Sequence, residues 1–190
     1  MSTQLFINAH IATGMPGSTA AETAAIQDIL VEDGKFISIA PHLKATLEAQ
    51  GKDMASVEVV DLGGKLVCPP FCDTHLHLDY VFTARKPGAV NESGTLFEGI
   101  QRWSETKADL TVDEIKERAK IGIAKEMRHG VQFIRSHADV TDPNLTSLKA
   151  LLELKEELKD TVTLQIVSFP QEGMYSYEGP HGESLSLIHI

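Results

Sequence analysis

The sequence predicts an α/β fold in which a small N-terminal β unit precedes alternating strands and helices of a parallel sheet. Three observations carry this. Asp33-Gly34 sits between two apolar runs, residues 29–32 and 36–39, and Asp-Gly tolerates the positive φ values that a tight hairpin demands. From residue 66 onward, short apolar runs alternate with stretches of helical period. Thr111-Val112-Asp113-Glu114 has the spacing of a capping box, in which the hydroxyl and the carboxylate satisfy each other's free amides.

Taken in order, residues 5–9 are a strand candidate, the hairpin follows, residues 43–50 suit a short helix, and residues 57–60 suit another strand. Residues 1–65 form the β unit. It is thin in apolar residues and is expected to need a partner segment to bury enough surface. The second unit, residues 66–184, opens on the apolar run Leu66-Val67-Cys68. After the capping box, Val112, Ile115, Ala119, Ile123 and Met127 recur at helical spacing, and Gly130 stands where a left-handed C-terminal residue belongs. Residues 131–134 read as a strand. Asn144 is the expected cap of the next helix, whose leucines (Leu145, Leu148, Leu151, Leu152, Leu154, Leu158) make a broad apolar face. Residues 163–167 are the third strand.

A formal charge of −10 over 190 residues argues against a nucleic-acid partner, because an acidic surface repels phosphate. No apolar run approaches the 18 or so residues of a membrane helix, and the N-terminus lacks the pattern of a signal peptide. These features predict a cytoplasmic protein with a small neutral or cationic ligand and no membrane partner. Cys68 and Cys72, the two cysteines, are expected to be buried strand residues.

Asp73-Thr74-His75-Leu76-His77 carries the sharpest chemical signal. In an extended backbone, residues two apart share a side, so His75 and His77 can face one point. Two imidazoles converging at a strand end suit a divalent metal, although His-x-His also arises by chance.

Residues 61–77, from Asp61-Leu62-Gly63-Gly64 through Cys68-Pro69-Pro70-Phe71-Cys72 to His77, resemble the opening of the amidohydrolase superfamily. Residues 93–100, 135–140 and 164–173, the last including Phe169-Pro170-Gln171-Glu172-Gly173, are similar to bacterial cytosine deaminases. The resemblance implies a partial TIM (β/α)8 barrel, its first three strands, preceded by the N-terminal part of a small β-sandwich domain. It implies His75 and His77 as ligands of Fe(II) or Zn(II), Gln171 on the amide edge of a pyrimidine-like substrate, and Leu96 on the apolar wall. His137 and Asp139 are placed in or near the shell behind the metal ligands, with a purely structural role as the plainer alternative. The implied reaction is hydrolytic deamination of cytosine to uracil and ammonia, in which the ion activates water. Deamination of isocytosine or another amino-substituted N-heterocycle, or a non-catalytic scaffold role, are the alternatives.

The family draws a third histidine, a glutamate, a further histidine and an aspartate from later strands, and a complete barrel takes about 250 residues. The chain is therefore expected to be an N-terminal portion, inactive alone, with a homo-oligomer as the candidate state at full length. Residues 185–190 (Leu185-Ser186-Leu187-Ile188-His189-Ile190) translate CTG-TCT-CTT-ATA-CAC-ATC, which reads like a transposon-adapter end, and are expected to be a non-native tail.

Overall fold

The computed structural model describes residues 2–11 and 26–173. The chain divides into two compact units, Met1–Pro69 and Pro70–Ile190.

The first unit holds β1 (Thr3–Ile11), β2 (Ile26–Glu32), β3 (Lys35–Ala40), α1 (Leu43–Ala49), β4 (Val57–Asp61) and β5 (Leu66–Val67). Its sheet has the order β3-β2-β1-β4, and β5 also pairs with β1. The β2–β3 hairpin turns on Asp33 and Gly34, with φ 47° and 76°, as the dipeptide predicts. Leu5, Leu30, Leu43 and Val57 form a small core. The described residues of this unit make one sheet with a helix against it; a second sheet, which a sandwich requires, is not among them.

The apolar run at residue 66 predicts the start of the second unit there, but Leu66 and Val67 pair in parallel with His10 and Ile11 of the first sheet. The division falls four residues later, between the two prolines. Neither proline has an amide proton to offer a ladder, so a strand break there is chemically cheap.

The second unit contains β6 (Phe71–Leu76), α2 (Leu96–Lys107), α3 (Val112–Arg128), β7 (Val131–Asp139), α4 (Thr146–Glu157) and β8 (Thr163–Phe169). The strands form a parallel sheet in the order β6-β7-β8. Helix α2 is an element the periodicity reading did not assign. Thr111 and Glu114 form the reciprocal capping box that starts α3, and Gly130 follows the helix at φ 87°. Helix α4 is not capped by Asn144. Asp142 accepts the amides of Asn144 (3.0 Å) and Thr146 (2.9 Å), because its carboxylate has two oxygens to offer where the amide side chain has one.

One face of the sheet packs on the helices. Ile115 and Ile123 of α3, Leu148, Leu151 and Leu154 of α4, Ile134 and Ala138 of β7 and Leu164 of β8 form its core. Cys72 and Cys68 are exposed, contrary to the sequence reading. Cys72 lies with Thr74, Phe133, Arg135 and Gln165, away from that core, and Cys68 sits in the Pro-flanked link where no ladder covers it. Parallel strands end on one edge. The residues at or just beyond those ends (His75 and His77, His137 and Asp139, Phe169 and Gln171) are therefore neighbours in space although far apart in sequence.

Candidate active site

A cavity of about 630 Å³ opens at this edge. His75, His77, Leu96 and Gln171 line it together, along with Tyr80, Trp103 and Phe169.

His75 lies in β6 and His77 just beyond its end. The simple two-residue alternation of a strand does not account for their convergence. The ladder to β7 shifts register between Asp73 and Leu76, and the Asp73 carboxylate accepts the amide of His75 at 2.9 Å. After this irregularity the two rings stand 5.2 Å apart at 70°. The Nδ1 of His77 lies 3.0 Å from the carbonyl oxygen of His137. A carbonyl can only accept, so Nδ1 carries the proton and Nε2 keeps a lone pair. Burial, then the nearby His75, lowers the pKa of His77 and favours the neutral ring that a metal needs.

His137 stacks on His75, with centroids 4.1 Å apart and planes at 27°. Rings stacked this closely to parallel hold their in-plane lone pairs side by side, so they do not converge on one ion. His137 Nδ1 is buried and has no hydrogen-bond partner among the described residues, and burial followed by the proximity of His75 lowers this ring's pKa. The donor set fits two corners of an imidazole-bound divalent ion, His75 and His77. Among the described residues no group of three or more potential ligands gathers round one point.

Among the described residues, Asp139 bonds to none of the histidine rings. Its buried carboxylate accepts Trp103 Nε1 (2.7 Å), Lys107 Nζ (3.1 Å), the Thr141 amide (2.8 Å) and the Thr141 hydroxyl (2.6 Å). It thereby holds the indole that forms part of the cavity wall. Leu96, 74% exposed, stands at the rim where α2 begins. Gln171 sits in a turn closed by the Gly173 amide on the Pro170 carbonyl at 2.9 Å. His129 donates Nδ1 to the Lys125 carbonyl at 2.8 Å. Residues 185–190 lie outside the described residues.

Asp79 escaped the sequence reading. It is fully buried, accepts the amide of Asp139 at 2.8 Å, and lies 4.0 Å from His77 Nδ1. Burial pushes its carboxyl up to about 6. Arg118 of α3 pins the turn behind it by donating to the carbonyls of Asp79 (3.1 Å) and Val81 (2.7 Å). Continuing the two-residue spacing of His75 and His77 would have reached Asp79. Tyr80, which stacks on His77 at 4.7 Å, and Trp103 carried no comparable signal.

Residues 58–187 match the Amidohydro_3 amidohydrolase family. The 5-methylcytosine deaminase of Klebsiella pneumoniae, solved with 5-fluorocytosine, is 40% identical with a TM-score of 0.74, over 94% of this chain and 38% of that one. Among curated proteins, the N-isopropylammelide isopropyl amidohydrolase of Pseudomonas sp. (strain ADP) is 30% identical over 159 residues, 82% of this chain and 37% of that protein. The pterin deaminase of Rhizobium rhizogenes is 28% identical over 152 residues, 77% of this chain and 32% of the relative. The chain thus spans less than two fifths of the length of these relatives.

Proposed function

The chain belongs to the amidohydrolase family, and from that premise we propose that the protein hydrolytically deaminates cytosine or a cytosine-like pyrimidine. This chain would supply two metal ligands and the first wall of the substrate pocket. The observation that carries the reading is that the His75–His77 pair shares one cavity with Gln171 and Leu96.

Each residue has a definite part. His75 and His77 would hold Fe(II) or Zn(II), both of which accept imidazole nitrogen. The bond from His77 Nδ1 to the His137 carbonyl presents Nε2 as the ligand atom. The ion, when bound, supplies the Lewis acidity that activates water for attack on the carbon bearing the amino group. Gln171 offers one acceptor and two donors, which suits a ring edge where C=O adjoins N–H. Leu96, Trp103 and Phe169 give the ring an apolar surround that keeps it oriented. Asp139 and Asp79 stand behind this wall.

The relatives named for isopropylammelide and pterin favour a second reading, an amino-substituted heterocycle other than cytosine. The test is ammonia release by the metal-loaded, full-length protein from cytosine, 5-methylcytosine, isocytosine and pterin. The expected result is the highest kcat/KM on one of the first two. Preference for pterin or isocytosine would transfer the assignment to the second reading. No metal-dependent ammonia from any of them would return the protein to a scaffold role.

A further inference from the structure

Lys107, at the last turn of α2, is 11% exposed at its side chain, and its ammonium donates to three acceptors. These are Asp139 Oδ2 at 3.1 Å, Thr141 Oγ1 at 2.6 Å and Glu172 Oε1 at 2.7 Å. Three donors meet three acceptors, so the ammonium has no proton left unassigned. The acceptors come from the end of β7, the loop after it, and the turn after β8. Trp103 lies one helical turn before Lys107, on the same face of α2, and donates to the same Asp139 oxygen at 2.7 Å. Glu172 is the chain neighbour of Gln171.

We propose that Lys107 is a positioning residue for substrate recognition, binding Glu172 so that Gln171 is held at a fixed distance from the Trp103 wall. The proposal rests on the reading of the cavity as the substrate pocket. A merely structural lysine would need only Asp139, whose charge it already balances. The bond to Glu172 places a second carboxylate on one cation, and its geometric consequence is to fix the turn at residues 170–173. Charge-assisted bonds of this kind are short and directional, and the nearly buried ammonium keeps them from being fully screened. A glutamine that reads a ring edge needs such fixing, because displacements of about an ångström can cost about a hundredfold in rate.

The experiment measures KM and kcat for cytosine in the metal-loaded, full-length protein. It compares Glu172→Ala, Glu172→Gln, Gln171→Ala and the double variant Gln171→Ala/Glu172→Ala, with metal content measured in each. Glu172→Ala is expected to raise KM roughly tenfold with a smaller change in kcat. Glu172→Gln keeps an oxygen acceptor within reach of Lys107 and is expected to restore most of the affinity. Adding Glu172→Ala to Gln171→Ala should raise KM no further, because Glu172 acts through Gln171. Lys107→Met should shift KM the same way but also destabilise the protein, so the Glu172 variants carry the test. An unchanged KM in Glu172→Ala beside a raised KM in Gln171→Ala would overturn the positioning role and leave the pocket standing. Unchanged KM in both would overturn the pocket itself, and the positioning role with it.

Discussion

The ring of His77 is fixed by the backbone of His137, whose carbonyl oxygen lies 3.0 Å from Nδ1, while the ring of His137 is stacked on His75. One residue therefore serves one histidine through its main chain and the other through its side chain, and substitution separates the two contributions.

Replacing His77 by alanine removes a proposed ligand, whereas His137→Ala leaves the carbonyl in place. Metal content of the purified full-length protein is expected to collapse in His75→Ala and His77→Ala and to stay near wild type in His137→Ala. Gln171→Ala should also retain metal. Equal loss in His77→Ala and His137→Ala would make the third ring a ligand and contradict the stacking argument.

Trp103→Phe keeps the aromatic bulk but removes the Nε1 donor from the buried Asp139 carboxylate. The cost is about 1–3 kcal/mol of stability, the range for leaving a buried acceptor short of a partner. Urea unfolding measures it. A midpoint unchanged from wild type would show that Lys107 and Thr141 satisfy Asp139 without the indole.

Asp79 makes stability depend on pH. Burial raises its carboxyl from 3.8 to about 6, so in that window the folded protein holds the proton more tightly than the unfolded chain. Its contribution is complete below about pH 4 and is lost as pH rises through about 6, on the order of 3 kcal/mol. Glu114 acts in the opposite sense. The Thr111 amide and Lys86 hold it at about 2, so its contribution is present above the ordinary glutamate range and is lost as pH falls. Unfolding of the metal-free protein between pH 4 and 6 should show a decline that Asp79→Asn flattens. Parallel slopes for the two proteins would remove Asp79 as the cause.

The start of α4 tests which side chain caps it. Asp142→Ala should cost about 1 kcal/mol, because the amides of Asn144 and Thr146 lose their acceptor. Asn144→Ala should fall within a few tenths of a kcal/mol of wild type. Chemical denaturation of the two variants decides it, and the reverse order would restore Asn144 as the cap.

Much of the second unit was legible in the sequence because its signals are short-range. The Thr111–Glu114 box, the left-handed Gly130 and the apolar period of α3 each depend on residues within a few positions, and the structure has all three. The cysteines were misread because burial of a strand residue depends on what covers its face, which a pentapeptide does not encode. Leu66-Val67 reads correctly as a strand, but which sheet receives it depends on His10 and Ile11, more than fifty positions earlier.

By itself the sequence determined the alternation of strands and helices, the Asp33-Gly34 turn and the presence of two histidines at a strand end, because φ preference, hydrophobic period and capping act between near neighbours. Only the tertiary structure decided that Trp103 meets Asp139, 36 positions away, that Asp79 lies against the amide of Asp139, 60 positions on, and that Lys107 reaches Glu172 across 65. Those meetings follow from three parallel strands ending on one edge. The raised pKa of Asp79 follows from burial that no local window contains.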